Sequence, residues 1–158
     1  MEADKPIVLL VEDNPSIGIL VSRRLEERYR VLVAANDRTA CVHLRACGQK
    51  LHAVLMDLGL DGSTLDGRDL TLLIRGRLPA EKTPDYAEGI PPSSVPVFIV
   101  SATVDAITGD DLAAMGADGA MPKPIDFRFL SLCLAQASIV RAVSHLEPGA
   151  EKKTEESG

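Results

Sequence analysis

Short unbroken apolar runs alternate along the chain with longer stretches whose apolar residues recur every three or four positions. The runs are Ile7-Val8-Leu9-Leu10-Val11, Val31-Leu32-Val33-Ala34, Ala53-Val54-Leu55-Met56, residues 95–101 and a brief fifth at 119–121. Apolar residues at consecutive positions predict strands covered on both faces, as in a parallel sheet. Asp13-Asn14-Pro15 offers a capping side chain followed by proline in a first helical turn. Ile17, Leu20, Val21 and Leu25 then follow at helical spacing. Asp37 is the expected cap of a second helix that carries Ala40, Cys41, Leu44 and Cys47 and stops at Gly48. The pattern predicts a third helix over 67–77, a fourth over 105–115 ended by Gly116, and a fifth over 126–143. The last has Phe127, Leu130, Leu134 and Ala137 on one side. Five strands alternating with five helices predict an α/β fold, a doubly wound five-stranded parallel sheet.

Two stretches fall outside this alternation. Residues 78–94 contain Pro79, Pro84, Pro91 and Pro92 and read as a long surface loop outside the core. Residues 147–158 are polar and predict a disordered tail, which leaves 1–146 as one domain. At 158 residues and 46% hydrophobic, the chain is long and apolar enough for one real core. A net charge of −6 argues against a nucleic-acid surface. No apolar run approaches ~20 residues, and the N-terminus has no apolar signal core. Cys41, Cys47 and Cys133 show no CxxC spacing and suit a reducing compartment. The expectation is a cytoplasmic protein with no membrane or nucleic-acid partner.

The polar residues that carry chemistry stand where the strands end. Glu12 and Asp13 close the first strand, Asp57 the third and Ser101 the fourth, while Lys123 follows the fifth. Right-handed crossovers put the C-terminal ends of parallel strands on one edge, so these five residues should converge there. Clustered carboxylates repel one another, and a hard divalent cation such as Mg²⁺ relieves that repulsion. Ser101 can donate to a phosphoryl oxygen, and Lys123 can balance its charge. The set suits phosphoryl transfer to a carboxylate nucleophile.

In these pieces the chain resembles the response-regulator receivers of two-component signalling, from Pro6 to Val143. The matching segments are Val8-Leu9-Leu10-Val11-Glu12-Asp13-Asn14, Val54-Leu55-Met56-Asp57-Leu58, Ile99-Val100-Ser101-Ala102, Gly116-Ala117-Asp118-Gly119 and Lys123-Pro124. The resemblance implies a flavodoxin-like receiver fold and Asp57 as phosphoacceptor. It implies Mg²⁺ held by Asp13, Asp57 and the Gly59 carbonyl, with Glu12 acting through water. Ser101 and Lys123 would contact the phosphoryl group, and the Lys123–Pro124 bond would be cis. The implied partners are a sensor histidine kinase or phosphotransfer protein and a downstream protein target. The chain would catalyse at most its own phosphorylation and dephosphorylation.

Three features depart from the family's pattern. Ala120 stands where an aromatic switch residue is usual. The segment 59–67 is about two residues longer than usual and lacks the usual proline. Residues 78–94 form an insertion. Ala120 favours the alternative class, a pseudo-receiver, an adaptor or dimerisation module that works without phosphorylation. A phosphatase using an aspartyl phosphate is disfavoured, because no strand ends in Asp-x-Asp.

Overall fold

The computed structural model describes residues 4–146, with side chains to residue 137. The expected tail, 147–158, lies outside the described residues. The strands are β1 (Ile7–Val11), β2 (Arg30–Ala34), β3 (Leu51–Asp57), β4 (Val97–Ser101) and β5 (Gly119–Pro122). The α-helices are α1 (Pro15–Leu25), α2 (Asp37–Cys47), α3 (Gly67–Ile74), α4 (Gly109–Met115) and α5 (Phe127–Leu146). The strands form one sheet in the order β2-β1-β3-β4-β5, and every neighbouring pair is parallel. This is the doubly wound α/β fold that the alternation predicts. The sheet and α1 to α4 form one compact unit, and α5 belongs to a second.

Alternate residues of each strand serve opposite faces. Leu9, Val11, Ala34, Val54, Met56, Val97 and Ile99 join α2, α3 and α4 in one core cluster. On the other face α1 lies close to β2: a Cβ on Gly18 would sit 3.2 Å from Val33 Cγ1. The buried stripe of α1 is Gly18, Val21 and Leu25. Leu20, expected to face inward, lies off that stripe and is exposed.

Several local expectations are corrected. Asn36, not Asp37, caps α2, its side chain accepting from the Thr39 amide at 2.9 Å. Asp37 occupies the first helical position instead and is buried. The second helix does stop at Gly48, its C-cap, where the chain continues through a 3₁₀ turn, Gly48–Lys50, and not in the left-handed conformation. Gly116 does end α4 in that way, with φ 85°. The third helix stops at Ile74, and the fourth starts at Gly109 behind a capping box of Thr108 and Asp111.

The proline-rich stretch 78–94 is not a loop outside the core. It forms two 3₁₀ turns, Ala80–Lys82 and Asp85–Ala87, and Ala87 is buried. Leu78, Tyr86 and Ile90 pack against the core cluster. Arg45 on α2 donates to the Tyr86 carbonyl at 3.0 Å and the Glu88 carbonyl at 2.8 Å. Arg38 stacks over the Tyr86 ring, 4.4 Å from its centre. The Tyr86 phenol donates a short hydrogen bond to Asp37.

Burial opposes the charge on Asp37, but hydrogen bonds from Tyr86, Leu65, Arg38 and Ser63 outweigh it and hold its pKa below the ordinary value. The stabilisation this brings is complete above the unfolded pKa near 3.8 and is lost as pH falls through the depressed folded value. Tyr86→Phe should therefore cost about 1.5 kcal/mol in neutral urea denaturation. The difference from wild type should shrink as the pH drops below that window. An unchanged urea midpoint at neutral pH would show the insertion to be energetically idle.

Candidate functional site

The C-terminal ends of β1, β3 and β4 and the residue after β5 meet around an open cleft of about 510 Å³. Its walls include Glu12, Asp13, Asp57, Gly59, Ser101 and Lys123, all six residues singled out from the sequence. Parallel pairing explains the convergence. β3 pairs with both β1 and β4, and the Lys123 amide donates to the Ser101 carbonyl at 3.1 Å, so β5's end is tied to β4's.

The carboxylates come together as the strand-end argument requires. Glu12, Asp13 and Asp57 each offer one oxygen, and these oxygens lie within 4.8 Å of one another. Glu12 and Asp57 are buried, while Asp13 is half-buried. Three hard anionic oxygens at this spacing fit a small divalent cation. Lys123 reaches into the same cluster, with Nζ 2.9 Å from Glu12 Oε1 and 3.3 Å from Asp57 Oδ2. Burial raises the pKa of Glu12, and the Lys123 hydrogen bond only partly offsets this. For Lys123 the balance goes the other way: burial opposes its charge, but Glu12 and Asp57 outweigh burial and raise its pKa.

Backbone amides orient the acidic side chains. Asn14 N–H donates to Glu12 at 3.1 Å, Gly59 N–H to Asp57 Oδ1 at 3.2 Å, and Asp61 N–H to Asp13 Oδ2 at 3.0 Å. Asn14, not Asp13, caps α1, accepting from Ser16 N–H at 2.9 Å. Asp13 is thus free of a capping role and stays in the cleft. Ser101 Oγ accepts from the Thr103 amide at 3.1 Å and lies 3.2 Å from the Thr103 hydroxyl. The Lys123–Pro124 peptide is cis.

Asp61 and Thr103 also line the cleft and were not among the expected residues. Thr103 carries a weak signal, a hydroxyl two residues past a strand-end serine. Asp61-Gly62 signals only a turn. Ala120 pairs with Ile99 inside the sheet and packs against the core cluster.

Among the described residues, no helix is long and apolar enough to cross a membrane. An NtrX-like response regulator of Rickettsia conorii is 30% identical over 132 residues, which is 82% of this chain and 24% of that protein. The chain thus spans about a quarter of the length of the curated relatives it matches. The NtrX receiver domain of Brucella abortus superposes with TM-score 0.64 at 24% identity, covering 82% of this chain and 96% of that one. The chemotaxis protein CheY4 of Vibrio cholerae superposes with TM-score 0.63 at 21% identity, covering 84% and 98%. The response regulator receiver domain profile matches residues 8–134, a span that holds every side chain of the acidic cleft. The chain therefore belongs to the response regulator receiver family of two-component signalling.

Proposed function

We propose that this receiver accepts a phosphoryl group on Asp57 from a histidine kinase or phosphotransfer protein and signals through contact with a downstream protein. The observation that carries the reading is Asp57 itself. It ends the central strand with two further carboxylates and the Lys123 ammonium around it. Asp57 would attack phosphorus with a carboxylate oxygen, forming the acyl phosphate as the bond to the donor breaks. Gly59 N–H, on Asp57 Oδ1, leaves the other oxygen with Lys123. Lys123 balances charge, and the Ser101 hydroxyl can turn from Thr103 to donate to a phosphoryl oxygen.

Glu12, Asp13 and Asp57 would hold Mg²⁺, with the Gly59 carbonyl as a further ligand. Bound there, Mg²⁺ would neutralise charge between the carboxylates and the incoming group. Asp13→Asn should weaken Mg²⁺ binding more than Glu12→Gln does. Equal affinity for Asp13→Asn and wild type in a calorimetric titration would remove Asp13 from the ligand set.

Incubation with acetyl phosphate and Mg²⁺, followed by intact-mass measurement, tests the main reading. Wild type should gain one phosphoryl group, and only with Mg²⁺ present. Asp57→Asn should gain none. Wild-type yield from that variant would move the acceptor elsewhere. An inert wild type would leave the chain as a phosphorylation-independent adaptor.

A further inference from the structure

The segment between β3 and α3 runs past the acidic cleft, and hydrogen bonds tie it to its surroundings. Asp61 N–H donates to Asp13 Oδ2 at 3.0 Å. Ser63 Oγ accepts from the Asp37 amide at 3.1 Å, and Leu65 N–H donates to Asp37 Oδ2 at 3.0 Å. The Tyr86 phenol donates to the same Asp37 carboxylate. Leu60 and Leu65 are buried and anchor the two ends of the strap. Residues 61–64 between them bury no apolar side chain. Their position depends on polar ties, and those of Ser63 and the adjoining Leu65 run to Asp37 at the start of α2.

We infer that Asp37 is a positioning residue for the acidic cleft: it sets where the Asp61 amide stands, and that amide orients Asp13 for a divalent cation. The inference rests on reading the cleft as the Mg²⁺-dependent phosphoacceptor site. Asp37 touches no residue of the cation cluster and acts only through the strap. A carboxylate held by an outside amide presents its remaining lone pairs in one direction. Released, it must be reoriented each time the cation binds. The direct outer partners of metal ligands are worth roughly 10–100-fold in affinity. Asp37 stands one step further out, so a loss of about three- to tenfold is expected.

The coupling must also run backwards. If Asp37 biases Asp13, cation binding at Asp13 must alter the Asp37–Tyr86 pair. The chain has two tyrosines and no tryptophan, so in a Tyr29→Phe background Tyr86 is the sole emitter. A phenol hydrogen-bonded to a carboxylate has an environment that its emission and ultraviolet absorption report.

The test is a titration with Mg²⁺ alone. Affinity is measured by calorimetry on wild type, Asp37→Asn and Ser63→Ala. Tyrosine emission is followed in Tyr29→Phe and in Tyr29→Phe with Asp37→Asn. Expected are a three- to tenfold loss for Asp37→Asn and a smaller loss for Ser63→Ala. A Mg²⁺-dependent change in Tyr86 emission should be absent once Asp37 is replaced. A residue that only stabilised the fold would lower the unfolding midpoint yet leave the folded protein's Mg²⁺ affinity and the Tyr86 response unchanged, and that result overturns the inference. Should Asp37→Asn not fold, Ser63→Ala and the Tyr86 response decide. If wild type binds no Mg²⁺, the reading of the cleft fails first and the inference falls with it. If wild type binds and the variants bind equally, only the inference fails.

Discussion

A chain carrying Gly67→Ala should lose much of its stability and most of its reactivity at Asp57. The reason is proximity. A Cβ on Gly67 would lie 2.1 Å from the Asp57 carbonyl oxygen and 2.8 Å from Leu58 Cα. Both are backbone atoms, so no side-chain rotation can make room. The close approach is held by Gly67 N–H donating to the Leu58 carbonyl at 3.2 Å. It is backed by the Asp66–Asp69 capping box and by the buried Thr71 hydroxyl on the Gly67 carbonyl at 2.8 Å. Adding one methyl forces α3's first turn away from β3 or pushes the end of β3 out of line. Overpacking against backbone should cost about 3 kcal/mol. Because the atom displaced belongs to Asp57 itself, the carboxylate proposed as phosphoacceptor moves with it. Gly109→Ala is the control: it also begins a helix, and a Cβ there meets nothing within 4 Å. Urea denaturation should separate the two variants. Gly67→Ala within about 0.5 kcal/mol of wild type would mean that the contact relaxes at no cost.

Lys123→Met should produce opposite changes in two measurements. The ammonium sits 2.9 Å from Glu12 and 3.3 Å from Asp57, in the space a divalent cation would share. Removing it deletes a competing positive charge, so Mg²⁺ affinity should rise roughly tenfold. Phosphoryl transfer from acetyl phosphate should nevertheless fall by at least about tenfold, because the incoming anion loses its counter-charge. Without metal, Glu12 is left buried at 2% exposure and unpaired by any cation, so stability should drop by about 1–3 kcal/mol. Saturating Mg²⁺ should restore that loss by mass action. If transfer and metal affinity fell together, Lys123 would be a structural support for the cleft and not a competitor within it.

The strand ends were legible because burial on both faces writes an unbroken apolar run, and the first polar residue after it marks the edge. Glu12, Asp57 and Ser101 follow that rule. Lys123 was legible only together with the others, since a lysine before proline by itself signals a loop and only its place after the fifth strand puts it on the shared edge. What stayed hidden depends on partners far along the chain. Asp37 reads as a cap because Asp, Ser and Asn all cap helices, and nothing local says that Asn36 takes the role. Its partners, Leu65 and Tyr86, lie 28 and 49 residues away. Residues 78–94 read as a loose loop because prolines dominate the stretch. Tyr86 was the one large ring within it, and an isolated aromatic does not announce that Arg38, Arg45 and Asp37 await it. The Asp61 amide is a backbone donor, which no side-chain pattern can reveal.

The position of β3 has a consequence for how quickly different parts of the molecule meet solvent. It lies between β1 and β4, and all seven of its residues are buried. Amide protons on such a strand exchange with deuterium only when the whole sheet opens, whereas those in exposed connections exchange through small local openings. The peptide group carrying Asp57 should thus be among the slowest-exchanging in the chain, and residues 61–64, a few positions later, among the fast ones. A change of charge on the Asp57 carboxylate therefore acts on a backbone that cannot yield. Whatever gives way must be the connections beside it, and their exchange rates are where the signal would be read.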